Sequence, residues 1–212
     1  MTAMPDVLVA NAVTLSDIHH RLKMDPCWDG DFSDYLQLHR FSEGDYEDLL
    51  KIRQNLLPYL ESGTMTEGSV KLLILAPLMR LAGFYQAPFQ ILVEERVSDI
   101  AADDEDIEIH GRMDLLVLKK TPSAIFWIVI VEAKSIAFSA QVGLAQLLAY
   151  TYQGLQQQPK VWGLVTNGLD FRFVLVQQGD PITYHPMPLL NLLELEGLIK
   201  ILQVLNGIRD QL

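Results

Sequence analysis

A run of seven apolar residues that ends in charged ones constrains the fold more than any other part of this sequence. Residues Ile125–Val131 carry only aliphatic and aromatic side chains, which predicts a buried strand, and Glu132-Ala133-Lys134 follows at once. Side chains alternate along a strand, so Glu132 and Lys134 are expected on one face and Ala133 on the other. A carboxylate and an ammonium at the tip of a core strand cost free energy unless a site there uses them.

A second apolar segment, Met113–Leu118, carries Asp114, which stands 18 residues before Glu132. If the two strands pair as a hairpin, the carboxylates of Asp114 and Glu132 meet the ammonium of Lys134 at one place. Such oxygen ligands suit a hard divalent cation, and a lysine beside them suits a phosphate group. Taken one at a time, each charged group is better explained as a partner in a structural ion pair.

Composition limits the classes of protein to which the chain can belong. Its 212 residues, half of them apolar, suit one domain with a sizeable core, or one domain with an appendage. The net charge of −11 counts against a protein that holds nucleic acid by bulk electrostatic attraction. Eight of the acids lie between Glu94 and Glu108, largely in a predicted solvated turn. Glu94 and Glu95 lie in the first long strand and could assist a site, but they are expected to line the solvent side of that strand.

We expect a cytoplasmic protein without a membrane segment. The single cysteine, Cys27, excludes an internal disulfide and fits a reducing compartment. The apolar stretches contain charges or are too short to span a bilayer. The N-terminus has no basic region followed by an apolar run, as a secretory signal would have.

Hydrophobic periodicity and turn residues predict a mixed α/β fold. The predicted strands are 89–97, 107–118, 124–131, 161–166 and 171–176, and the predicted helices include 44–60, 67–82, 139–156 and 189–212. Helix 139–156 would connect two neighbouring strands, which should therefore be parallel, whereas the other connections suit antiparallel hairpins. We expect residues 63–212 to form a sheet of about five strands flanked by helices. Residues 1–62 would be a mostly helical extension packed on this core.

Several sequence features occur together along roughly Thr64–Val176. They are Thr66-Glu67 at the start of a helix, Gly111-Arg112 just before Asp114, Glu132-x-Lys134 at a strand end, Gln146-x-x-x-Tyr150 on the following helix, and Thr166-Asn167-Gly168 after the next strand. The set resembles the PD-(D/E)xK nuclease superfamily. Within it, the sequence is similar to the N-terminal nuclease domain of type I restriction enzyme R subunits and to small cyanobacterial restriction endonuclease-like proteins. Met113 precedes Asp114 where the family pattern has proline, a departure that is common in the superfamily.

The resemblance implies a restriction endonuclease-like core and a metal-dependent nuclease that hydrolyses phosphodiester bonds, with DNA as the expected substrate. Asp114 and Glu132 would bind Mg²⁺ or Mn²⁺, with the backbone carbonyl of Ala133 as a further ligand. Glu67 would bind the metal directly or through water. Lys134 would orient or help deprotonate the attacking water and offset developing charge.

Three further residues would support the substrate. Gln146 and Tyr150 are four residues apart and therefore share a helix face. They would contact the substrate backbone or hold the site residues in place. Arg112 would contact phosphate groups.

Two other interpretations are open on the sequence alone. The chain could be a catalytically inactive nuclease-fold binding or scaffold protein, which its acidic balance favours, or a nuclease module whose partner supplies DNA binding. Residues 1–60 and the leucine-rich segment 189–212 offer surfaces for a homodimer or a partner protein, although core packing explains most of those leucines. Nothing in the sequence predicts sequence-specific cleavage, and no P-loop motif indicates a nucleotide-driven motor.

Overall fold

A computed structural model describes residues 6–38, 42–102, 105–122 and 124–211. The strands are β1 (Asp6–Val9), β2 (Met24–Pro26), β3 (Phe89–Ala102), β4 (Glu105–Lys120), β5 (Ile125–Ala133), β6 (Lys160–Thr166), β7 (Asp170–Gln177), β8 (Ile182–Pro186) and β9 (Leu190–Asn191). The α-helices are α1 (Leu15–His20), α2 (Phe32–Tyr35), α3 (Glu43–Ser62), α4 (Glu67–Val70), α5 (Ala76–Leu81), α6 (Leu144–Leu155) and α7 (Leu195–Asp210). A π-helical segment, Lys71–Leu75, joins α4 to α5, and short 3₁₀ turns precede α1 and α6.

These strands form one mixed sheet. Its main path runs β1-β4-β5-β6-β7-β8-β2, with β3 also paired to β4 and β9 paired to β7. β5 and β6 are parallel, as predicted for strands joined by a crossover helix, and β4 pairs antiparallel with both β3 and β5. The mixed α/β class with flanking helices is therefore confirmed.

Within the described part of the chain the sheet has nine strands, so the expected number of about five is too low. The four unforeseen strands, β1, β2, β8 and β9, have between two and five residues each. Segments this short do not show a period of two that distinguishes a strand from a loop. Two of them lie in the N-terminal segment that the sequence analysis predicts to be mostly helical. The division of the chain at residue 62 stays a prediction, but both sides of it contribute to the same sheet.

Helices cover both faces of the sheet. On one face α3, α5 and α7 pack on the strands through side chains such as Leu56, Leu78 and Leu202. On the other face α1 and α6 pack through side chains such as Ile18 and Leu147. All five side chains are fully buried. Burial on both faces explains why the central strands are continuous apolar runs.

Two predicted helices differ in detail from the observed ones. The predicted helix 67–82 contains a wide π-helical turn at Lys71–Leu75, just before Pro77, where a kink was expected. The C-terminal helix begins at Leu195 rather than at residue 189, because Leu190 and Asn191 pair with β7. Among the described residues, no helix combines the length and the apolar character that crossing a membrane requires.

Gly197 allows α7 to approach β9 closely. A Cβ atom built on Gly197 would lie 2.3 Å from the backbone oxygen of Asn191 and 3.0 Å from its backbone nitrogen. Since backbone atoms cannot rotate away, we expect Gly197→Ala to lower the free energy of unfolding by about 1–3 kcal/mol, measured by urea unfolding.

A matched control is Gly44→Ala, on the exposed first turn of α3, where the nearest atom to a built Cβ is 3.8 Å away. That substitution should be neutral or should stabilise the protein by up to about 1 kcal/mol. Equal losses for the two variants would contradict the close approach at Gly197.

Candidate active site

The candidate site lies where β5 separates from β4. The two strands remain paired as far as Leu115 and Val131. Beyond that pair, the Ala133 N–H donates to the carboxylate oxygen Oδ2 of Asp114 at 2.8 Å. The Ala133 N–H thus has the Asp114 side chain as its acceptor instead of a main-chain carbonyl of β4. The two strands separate at the level of Asp114 and Glu132.

Glu132 and Lys134 share a face of β5, as their spacing predicts. Val131 and Ala133 pack in the core on the α3 side of the sheet, so Glu132 lies on the α6 side. The ammonium of Lys134 donates to Oε1 of Glu132 at 2.5 Å and to Oε1 of Gln146 at 3.1 Å. Through Gln146, helix α6 therefore holds the Lys134 ammonium on its own side of the sheet.

Tyr150 connects α6 to an open interval on β4. This strand pairs with β1 up to His110 and with β5 from Leu115 onwards, which leaves an interval between the two neighbours. Within it, the Tyr150 hydroxyl accepts from the Arg112 N–H at 3.2 Å and donates to the Arg112 carbonyl at 3.1 Å. The Gln146 amide donates to the same hydroxyl at 2.9 Å. One hydroxyl thus satisfies two main-chain groups on the edge of the site.

Lys71 lies among three carboxylates. Its Nζ is 2.5 Å from Oε1 of Glu94, 2.6 Å from Oδ1 of Asp114 and 3.0 Å from Oε1 of Glu67. One oxygen from each carboxylate lies within 4.8 Å of the others. We call Glu67, Glu94 and Asp114 the carboxylate trio. The second oxygen of Glu94 lies 2.7 Å from Nε of Arg112.

The backbone is irregular at the level of Asp114 on both β3 and β4. Glu94, which the pairing of its neighbours places opposite Asp114, has a left-handed φ of 57° within a strand. Such a conformation is uncommon for a residue other than glycine and costs about 1–3 kcal/mol. On β4, Met113 and Leu115 pack in opposite cores, although strand residues two apart normally share a face. Local irregularities of this kind are common at functional sites.

Burial and neighbouring charges shift the protonation of the site carboxyls. Burial, together with the negative charge of Asp114, raises the pKa of Glu132 to about 8. Burial also raises the pKa of Asp114, against the hydrogen bonds from Lys71 and Ala133. The hydrogen bond from Lys71 holds the pKa of Glu94 below its usual value. Burial lowers the pKa of Lys71, but its hydrogen bonds to the trio outweigh this effect and the net shift is upward.

The donor set fits a hard divalent cation. Glu132 is 2 % exposed, yet its Oε2 has no hydrogen-bond partner among the described residues, which is a costly state for a buried polar atom. The backbone of Gly143 lies directly behind it, because a Cβ built there would be 2.9 Å from Cγ of Glu132. Together with the trio, this carboxyl offers oxygen ligands only, a chemistry that suits Mg²⁺ or Mn²⁺ and not a softer metal.

The structure brings the predicted site residues together, while their roles stay predictions. Hydrogen bonds link Glu132, Lys134, Gln146, Tyr150 and the Arg112 backbone in one chain. Asp114 joins this group through the Ala133 amide, and Glu67 joins it through Lys71.

Two residues of the site are not assigned to it from the sequence. Lys71 is absent from the predicted site residues, and Glu94 could assist a site but is expected on the solvent side of its strand. The one signal for Lys71 is its spacing of four residues from Glu67, which is also common on exposed helix surfaces. Nothing in the sequence indicates the left-handed backbone that accompanies Glu94 in the site.

Comparisons with known proteins find similarity among solved structures only. No protein-family model matches the sequence, and the search of curated proteins finds no match. Among the solved structures to which the chain is similar is the fragment structure of a putative HsdR subunit of a type I restriction enzyme from Vibrio vulnificus YJ016. The identity is 19 %, the TM-score is 0.41, and the match covers 65 % of this chain and 25 % of that chain. The match thus spans about a quarter of that chain's length, and a likeness this weak carries no argument about function.

The pKa of Glu132 predicts a pH dependence of stability. This carboxyl titrates near its ordinary pKa of 4.5 in the unfolded chain and near 8 in the folded one. Between these values the folded state keeps a proton that the unfolded state has lost, so stability falls as the pH rises from about 4.5 to about 8. Glu132→Gln removes this contribution. We expect its free energy of unfolding to gain a few kcal/mol relative to the native chain across that interval, measured by urea unfolding from about pH 5 to pH 9.

Glu61→Gln, at the exposed end of α3, serves as the control for that series. Its difference from the native chain should stay constant with pH. A constant difference for Glu132→Gln as well would show that Glu132 is not desolvated in the folded protein.

Tyr150→Phe tests the link between α6 and β4. The substitution leaves the N–H and carbonyl of Arg112 without their partner, and we expect it to lower the free energy of unfolding by about 1–3 kcal/mol. The same change should accelerate hydrogen exchange at the Arg112 amide. Tyr85→Phe, at a half-exposed position, is the matched control. Unchanged exchange at Arg112 would mean that Tyr150 does not hold this part of β4.

Proposed function

We propose that this chain is a metal-dependent nuclease that hydrolyses phosphodiester bonds by means of a metal-activated water, with DNA as its substrate. The observation that carries the proposal is the buried, unpartnered Oε2 of Glu132, which lies beside Lys134 and close to Asp114. Buried polar atoms are almost always paired, so an exception at a cluster of charges calls for a ligand. The motif resemblance to the PD-(D/E)xK superfamily supports the same assignment.

The oxygen atoms around the separation of β4 and β5 would hold the cation. Asp114 and Glu132 are the proposed ligands of Mg²⁺ or Mn²⁺, with the Ala133 carbonyl and Glu67 as further ligands. The geometry adds Glu94 as a candidate, because it shares Lys71 with Asp114. When bound, such an ion lowers the pKa of a water molecule and stabilises negative charge on the phosphate.

Lys134 is the residue that we propose to act on that water or on the phosphate. An ammonium group has three donors, and Lys134 directs two of them to Glu132 and Gln146. These two contacts fix the orientation of the third donor. Gln146 is itself held by the hydroxyl of Tyr150, so the position of the ammonium depends on the packing of α6.

Arg112 is the proposed contact to a substrate phosphate. Its side chain is 63 % exposed, and its contact to Glu94 uses Nε, while a guanidinium carries five N–H donors in total. Planar guanidinium groups suit phosphate oxygens. Because the chain carries a net charge of −11, substrate binding would depend on such local contacts and weaken as salt rises.

Cleavage assays test the proposal directly. We expect the native chain to cut plasmid or oligonucleotide DNA only with millimolar Mg²⁺ or Mn²⁺. Asp114→Asn, Glu132→Gln and Lys134→Met should each reduce the rate at least about 100-fold. Asp48→Asn, which removes a carboxylate of α3 that pairs with Lys51, is the control and should retain full activity.

Thermal unfolding with and without the cation separates an inactive scaffold from an enzyme assayed on the wrong substrate. A ligand bound only by the folded state raises the unfolding temperature, and Glu132→Ala should abolish this rise. If the cation stabilises the protein but DNA is not cleaved, we would conclude that the substrate is RNA or that cleavage requires a partner protein. The absence of both effects would favour the binding or scaffold protein.

A further inference from the structure

Lys71 occupies the position that a cation would take within the carboxylate trio. Its Nζ lies between 2.5 and 3.0 Å from one oxygen of each of the three carboxylates. Those oxygens lie within 4.8 Å of one another, so the space that they enclose holds one cationic centre. A magnesium ion bound to them at about 2.0–2.1 Å would overlap with the ammonium group.

We infer that Lys71 is a positioning residue: its ammonium holds the carboxylate trio together in the metal-free protein and gives up this place when a divalent cation binds. The inference rests on the proposed function, since it takes Asp114 as a metal ligand. It goes beyond that function because cation binding becomes an exchange: the Lys71 ammonium leaves the carboxylate trio and a divalent cation from solution takes its place.

The surroundings of Lys71 distinguish it from an ordinary surface lysine. Its side chain is 18 % exposed. Only one of its three carboxylates, Glu67, lies on its own helix, while Glu94 and Asp114 lie on β3 and β4. The ammonium thus joins the start of a helix to two strands at the level where both strands are irregular.

The trio would not keep this geometry without a cation. Three carboxylates that approach within 4.8 Å repel one another, and they would separate or take up protons if the ammonium were absent. Glu132, which feels the charges of Asp114 and Glu67, gives an independent observation: its Oε2 is buried and has no hydrogen-bond partner among the described residues although Lys71 is in place. Lys71 therefore satisfies the trio but not the whole donor set.

The exchange requires only a side-chain movement. Lysine carries its charge on a flexible four-carbon stem. The side chains of Glu67 and Arg112 are 46 % and 63 % exposed, so the site is open to solvent beside the ammonium. Lys71 can leave on that side without displacing residues of either core.

Direct binding measurements test the inference. Titration calorimetry with Mn²⁺ alone should give a dissociation constant at least tenfold lower for Lys71→Met than for the native chain, because the competing ammonium is gone. Lys71→Arg retains a charge in a larger group and should bind Mn²⁺ no more tightly than the native chain. Lys51→Met is the matched control, since Lys51 also pairs with a carboxylate, Asp48, but lies on the exposed face of α3.

The outcomes separate this inference from the proposed function. If neither the native chain nor Lys71→Met binds Mn²⁺, the proposed metal site itself fails. If both bind with equal affinity, the site stands and the exchange is wrong. Weaker binding by Lys71→Met would make Lys71 a support for the bound cation instead of its competitor, which also overturns the inference.

A second measurement uses the native chain and does not depend on the folding of Lys71→Met. Nitrogen-15 NMR of the eight lysine ammonium groups can follow Lys71, whose signal is assigned by its absence from Lys71→Arg. Saturating Mg²⁺ should move this signal towards that of exposed lysines and speed its exchange with water, while the Lys51 signal stays in place. An unchanged Lys71 signal in a protein that binds Mg²⁺ would contradict the exchange.

Discussion

The hydrogen bond from the Ala133 amide to the Asp114 carboxylate determines the geometry of the whole site. A strand can give each main-chain donor to one partner, and here β5 gives one to a side chain of β4. The ladder between the two strands ends at that point, while β5 stays attached to β6, where the Lys134 amide donates to the carbonyl of Thr166. The sheet therefore opens in its middle, with helices covering both faces. That opening is what allows two carboxyl groups to lie within a sheet whose other central residues are mostly apolar.

Two polar networks meet at this opening from opposite sides. One contains Lys71 and the carboxylate trio, and the other runs from Glu132 through Lys134 and Gln146 to Tyr150. Four carboxyl groups and three basic side chains, including Arg112, make up the two networks, so opposite charges nearly balance. Near-balance is how a buried cluster of charges avoids a large desolvation cost. A cation that binds here must therefore displace a basic side chain from its carboxylate partners or displace a proton from a carboxyl group.

The sequence permits much of this to be predicted, and the parts that fail have physical causes. Alternation along β5 places Glu132 and Lys134 correctly, and the spacing of four residues places Gln146 and Tyr150 on one face of α6, because both rules depend only on local geometry. Lys71 and Glu94 are hard to predict because most of their partners come from other elements of the fold. The sequence gives no sign of the left-handed conformation of Glu94, which depends on the pairing of β3 with β4. The short strands β1 and β2 are not predicted because their pairing depends on strands that are distant in the sequence.

Two strands from residues 6–26 attach to distant parts of the sheet, since β1 pairs with β4 and β2 pairs with β8 at the end of the sheet. The connection between them crosses the sheet on the α6 side, where Ile18 and Leu22 share a core with the residues of that helix. The segment that joins them packs on the helix that carries Gln146 and Tyr150. Exposed strand edges invite pairing with other chains, so loss of β2 through a cut within this segment would expose the edge of β8. Protection of this sheet edge and the packing of α6 therefore depend on the same short stretch of chain.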